Sequence, residues 1–165
     1  MAITSDEMLA MVRALPIPIP WDRNVFIENL SEMRGRAITL IPTDTATLGV
    51  GPCGLWLARD DDDLILHEIG TSDYHIDQIV GHELGHMWLG HGRSDVFGGD
   101  KERQRDLCRQ LFPKIDPEMV RVVLGRTNCT GDGDERDAEM FASLLMLAVT
   151  EATERQSIVR SFFRQ

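Results

Sequence analysis

Apolar positions along this chain change period several times, and each change marks an expected element. Thr4 and Glu7 form a capping box for a short helix over residues 5–14. Pro16, Pro18 and Pro20 then impose an extended PIPIP segment, because proline is excluded from helix interiors. Residues 22–34 read as a second helix stopped by Gly35. The run 37–41 is a strand ended by Pro42, and runs 54–58 and 64–69 are two more strands. The aspartates at positions 60–63 join the last two as a solvated hairpin turn, since their spacing lacks the pattern of a calcium-binding loop.

Ile76, Ile79, Val80, Leu84, Met87, Trp88 and Leu89 return to helical spacing, with Gly90 and Gly92 as the stop. Residues 93–103 are polar loop, and Arg105 to Phe112 give a helical turn or two before Pro113. Asp116 and Pro117 open a helix that Gly125 ends, and 126–134 are loop. Ala138, Phe141, Ala142, Leu145, Ala148 and Val149 mark an amphipathic helix from Glu135 to about residue 150. A last helix closes the chain around Ile158 to Phe163.

The third of these helices carries the chemistry. It contains His82-Glu83-Leu84-Gly85-His86, an HExxH motif. Residues four apart on a helix lie about 40° apart in projection, so both imidazoles can reach one ion. Glu83 sits about 100° round from His82 and can address a water that the ion activates. Two imidazoles leave Zn²⁺ needing a third protein ligand and an open position. Buried imidazoles on a helix this apolar need partners, which argues against a chance occurrence.

Composition narrows the classes further. At 165 residues the expectation is a single domain, residues 1–165. The net charge of −10 argues against a nucleic-acid surface, which needs clustered Lys and Arg; it reads first as a solvated acidic surface and second as room for a basic partner. No run of about 18 apolar residues suggests a membrane span, and the N-terminus lacks the features of a secretion signal. Cys53, Cys108 and Cys129, odd in number and far apart, read as reduced thiols of a cytoplasmic protein. Trp21, Trp56 and Trp88 are read as core.

Candidates for the third ligand are His91, Asp95, Asp100, Glu135, Asp137 and Glu139. His91 misses the extended HExxHxxGxxH pattern, because Leu89 stands where the glycine belongs and Gly92 where the histidine belongs. It would also lie about 140° from His86 on a continued helix, so it is read as a structural or supporting residue. Glu135 borders the buried stripe of the downstream helix; Glu139 lies further round and stays as the alternative, while Asp137 points away. Tyr74 and His75, at the start of the motif helix, are candidates for stabilising a transition state. His67, in an expected strand, is read as structural.

HELGHMWLGH, followed some fifty residues later by ERDAEMFASLL, resembles the ImmA/IrrE metallo-endopeptidase family. The stretch from Gly54 to His91 is similar to its actinobacterial branch. The resemblance covers roughly residues 36–150. It implies an α+β, minimal zincin-like fold: helices on a small three-stranded sheet, with zinc between two helices. A helical segment 1–35 would precede that core and a C-terminal helix 151–165 would follow it. The family's second motif falls on Glu135, Ala138, Glu139, Phe141 and Ala142, which implies a zinc site of His82, His86 and Glu135. Glu139 stands where many members have Asn. The implied activity is narrow-specificity cleavage of a partner regulator, a DNA-binding repressor or antitoxin, with no direct nucleic-acid or membrane contact. The alternative is a zinc-binding interaction module that binds its partner without cutting it.

Overall fold

The computed structural model describes residues 3–44, 54–91, 106, 109, 113, 116, 120–124 and 132–162. In chain order these form α1 (Ser5–Arg13), α2 (Arg23–Arg34), β1 (Ala37–Thr43), β2 (Leu55–Arg59), β3 (Asp62–Glu68), α3 (Asp73–Leu89), β4 (Val120–Leu124) and α4 (Asp132–Phe162). The class is α+β, with a mixed sheet in the order β1-β3-β2-β4.

The early elements start and stop where local chemistry dictates. Thr4 caps α1 through a complete capping box with Glu7, whose carboxyl is held below its ordinary value by the Thr4 backbone and hydroxyl. Asp22 accepts from the amides of Asn24 and Val25, and Gly35 closes α2 at a φ of 61°, a left-handed conformation open to glycine. The PIPIP segment between them is irregular, with a cis Ile19–Pro20 bond.

Several elements depart from the sequence expectation. Strand β1 runs through Pro42 to Thr43, because it is an edge strand paired only with β3 among the described strands, and an edge tolerates a residue without an N–H. The three expected strands are joined by a fourth, β4, antiparallel to β2, where the sequence suggested a helix after Asp116 and Pro117. The valine-rich run there favours extended backbone, and pairing with β2 overrides the local helix-start signals. Residues 132–134, expected in a loop, begin α4. That helix continues without a break to Phe162, because nothing after Gly133 supplies a glycine or proline stop. Of the expected helix at 105–112, only Asp106 and Arg109 are described; both are helical and ion-paired at 2.9 Å. The loop at 93–103, the residues 126–131 and the three cysteines lie outside the described residues.

The aspartate run is only in part a solvated turn. Asp60 and Asp61 turn the chain, whereas Asp62 and Asp63 belong to β3, and Asp63 is 1% exposed. Its Oδ2 accepts from Arg34 Nη1 at 2.9 Å and Arg36 Nε at 2.8 Å, and its Oδ1 accepts from Trp56 Nε1 at 3.0 Å. Burial alone would raise this carboxyl; the bonds from Arg36, Trp56 and Arg34 outweigh it and hold it below the ordinary value.

One core runs through the molecule. Met8, Val12, Leu15, Phe26 and Leu30 of the N-terminal region pack in the same cluster as Trp56, Ile65, Leu84, Phe141 and Leu145. The N-terminal helices are therefore part of the body that holds α3 and α4. Those two helices touch through glycine and alanine. A Cβ on Gly85 would meet Ala138 Cα at 3.0 Å and its carbonyl oxygen at 3.1 Å, and one on Gly81 would meet Ala142 Cα at 3.3 Å. Only the absence of those side chains lets the backbones approach so closely.

Two outcomes are expected from these contacts. Asp63→Asn should cost about 2–3 kcal/mol in denaturant unfolding, since it leaves two guanidinium groups without their shared anion. Because the folded carboxyl titrates lower than the unfolded one, the wild type keeps this stability above the unfolded value. It loses it as pH falls through the folded value, and the variant should show less of that acid loss. Gly85→Ala should cost about 1–2 kcal/mol despite alanine's better helix propensity, whereas Gly133→Ala, with open space around its Cβ, should cost nothing. Equal effects at the two glycines would contradict the close-approach account.

Candidate metal centre

Helix α3 presents the HExxH residues from a rigid setting. Ser72 caps its start by accepting from the His75 amide, and Gly90 ends it at a φ of 73°. Asp77, on its first half, accepts from Trp21 Nε1 at 2.9 Å and Arg23 Nε at 3.0 Å. Burial raises the Asp77 carboxyl above its ordinary value, against the pull of Trp21 and Arg23. Near the other end, Arg34 contacts Met87 Sδ at 2.9 Å and lies 6.0 Å from the Trp88 ring centroid.

On the face toward α4, His86 Nε2 stands 3.0 Å from His82 Nε2. Glu135, in the first turn of α4, brings Oε1 to 3.0 Å from His86 Nε2 and Oε2 to 3.5 Å from His82 Nε2. Donor atoms of these three residues lie within 4.8 Å of one another, and they are the group able to hold a metal ion among the described residues. Ligands about 2.0–2.1 Å from a tetrahedral zinc stand about 3.3–3.5 Å apart, close to the separations found. The donor set of two imidazoles and a carboxylate suits zinc better than magnesium or calcium. His86 is 4% exposed, and burial, reinforced by His82, pushes its imidazole down to about 4. It is therefore neutral at pH 7, with a lone pair to donate.

Of the two acids left open by the sequence, Glu135 is the one against both histidines, while Glu139 is exposed one turn later. Asp137 is half-buried outside the cluster, and Asp95 and Asp100 lie outside the described residues. Glu83 is buried at 2% exposure. The space it occupies is cleared by Gly54: a Cβ there would sit 2.7 Å from Glu83 Cγ and 2.8 Å from Oε1. Tyr74 and His75 are exposed two turns before His82; the Tyr74 hydroxyl accepts from Gln78 Nε2 at 3.2 Å. The structure does not bring them into the cluster. His67 is buried in β3, with Nδ1 3.1 Å from the Glu68 carbonyl oxygen, consistent with a structural residue.

His91 is placed differently from its helical projection. The helix ends before it, and the turn at Gly90 folds the chain back so that His91 Nδ1 meets His86 Nδ1 at 2.9 Å. Its Nε2 faces Asp134 Oδ1 at 3.7 Å. Sequence reasoning missed Gly54, Gly81, Gly85 and Asp134. The signal available for the two helix glycines was their i, i+4 spacing opposite Ala138 and Ala142. Nothing local marks Gly54 or Asp134.

Comparison with known proteins adds little to this geometry. No family model matches the chain, and no solved structure matches it. Part of the chain is similar to the nucleoid occlusion factor SlmA of Shewanella amazonensis, 39% identical over 71 residues. That stretch is 43% of this chain and 35% of the SlmA sequence, so the chain covers about a third of that protein's length. The likeness is too partial to place the chain in a family.

Proposed function

We propose that this chain is a zinc-dependent endopeptidase of the ImmA/IrrE kind, with a minimal zincin-like core. The observation that carries the reading is the meeting of His82, His86 and Glu135 donor atoms beside the buried acid Glu83. His82, His86 and Glu135 would hold the ion. When bound, Zn²⁺ polarises a scissile carbonyl and makes water a better nucleophile near neutral pH. Glu83 takes the proton from the attacking water and delivers it to the nitrogen of the leaving amine. Gly54 keeps room for that carboxylate, so the base is held by steric fit as well as by its place on α3.

The substrate proposed is a DNA-binding regulator, a repressor or antitoxin, met in the cytoplasm. The net charge of −10 suits a basic partner rather than nucleic acid itself, and no helix of the described residues is long and apolar enough to cross a membrane. The rival reading is a zinc-binding interaction module. A structural site normally completes four protein ligands. Among the described residues, Glu139 is exposed and His91 is turned to the far nitrogen of His86, which supports the hydrolytic reading.

The test is zinc content by mass spectrometry for wild type, Glu83→Gln and Glu135→Gln, with cleavage of regulators encoded beside the gene and co-expressed. Glu83→Gln is expected to keep zinc and lose cleavage by about 10²–10⁴-fold. Glu135→Gln is expected to lose zinc. Zinc retained in all three, with a partner bound and never cut, would establish the interaction module instead.

A further inference from the structure

Both ring nitrogens of His86 are engaged, and both lead to the same turn of α4. Nε2 faces Glu135 Oε1 at 3.0 Å. Nδ1 meets His91 Nδ1 at 2.9 Å, and the other nitrogen of His91 faces Asp134 Oδ1 at 3.7 Å. Asp134 and Glu135 are consecutive residues, and His91 is 10% exposed in its side chain. The backbone is built for this arrangement. Gly90 adopts the left-handed conformation that ends α3, and the His91 amide donates to the His86 carbonyl at 3.0 Å. That turn returns the His91 ring to the side of His86 that the ligand nitrogen does not use.

We propose that His91, supported by Asp134, is a positioning residue that sets the tautomer and tilt of His86. The inference rests on the metal-site reading above. A neutral imidazole carries one N–H, so a His86 that offers Nε2 to a metal carries its proton on Nδ1. In the 2.9 Å contact, His86 Nδ1–H is then the donor and His91 Nδ1 the acceptor. His91 in turn carries its proton on Nε2, the nitrogen facing the Asp134 carboxylate. Every proton in the chain His86–His91–Asp134 points toward the carboxylate, and the reverse polarity would block the ligand nitrogen. Partners of this kind hold a ligand's ring in place and raise its basicity.

The test compares wild type with His91→Phe, His91→Asn and Asp134→Asn. The measurements are zinc affinity by chelator competition, the visible spectrum of the Co²⁺-loaded protein, and melting of the metal-free protein. Phe keeps an aromatic ring and removes the acceptor; Asn restores an acceptor oxygen close to the Nδ1 position. His91→Phe is expected to weaken zinc binding about 10–100-fold and alter the Co²⁺ spectrum, with His91→Asn recovering most of the affinity and the wild-type spectrum. Asp134→Asn is expected to lose less than His91→Phe, since its contact is longer and more exposed. Unchanged affinity and spectrum in His91→Phe would overturn the inference, even if the metal-free protein melted lower, because that pattern belongs to a helix-end packing role. A wild type that binds neither metal at one equivalent would instead overturn the metal-site reading, and the inference with it.

Discussion

The close contact of α3 with α4 is the constraint on which the candidate site depends. Gly81 and Gly85 face Ala142 and Ala138, and each glycine leaves no room for a Cβ without moving the neighbouring backbone. These small residues add little apolar area themselves. The surrounding Val80, Leu84, Met87, Phe141 and Leu145 supply the burial that holds the helices together. The small residues instead set the separation, and the separation sets the reach of Glu135. A carboxylate side chain is short, so a helix held a few ångströms further out would take Glu135 out of reach of His82 and His86.

A second set of contacts keeps α3 from shifting under that load. Asp77 ties its first half to Trp21 and Arg23, and Met87 and Trp88 tie its second half to Arg34. Arg34 and Arg36 also share Asp63, with Trp56 on the other carboxylate oxygen. The corner between α2 and β1 is thereby joined to the β2–β3 hairpin and to α3. A buried carboxylate bonded by two arginines and an indole is a polar network with its acceptor oxygens satisfied, which favours one arrangement of these elements over others. Glu83 is held in the same framework, since Gly54, whose missing Cβ leaves it room, directly precedes β2 of that hairpin.

Much of this was legible in the residues, for identifiable reasons. Thr4, Asp22, Gly35 and Gly90 act through local backbone chemistry, so α1, α2 and the end of α3 followed from short-range signals. His82, Glu83 and His86 share a helix, and helical geometry alone relates them. Glu135 was legible because its helix has a strong apolar stripe and it lies on the border. Two of the differences are non-local. Asp63 looked like its exposed neighbours because Arg34, Arg36 and Trp56 come from other elements. The run at 120–124 carries helix-start signals upstream, but its partner strand decides its conformation. His91 is a local case: a continued helix would carry it about 140° from His86, whereas the left-handed turn at Gly90 ends α3 before it.

The most direct test of the account is X-ray absorption at the zinc edge on the loaded protein. The account expects a first shell of nitrogen and oxygen at about 2.0–2.1 Å, with the multiple scattering of two imidazoles and a carboxylate oxygen beside them. A sulfur shell at about 2.3 Å, or a third imidazole, would contradict it, since a cysteine or another histidine would then stand where α4 places Glu135.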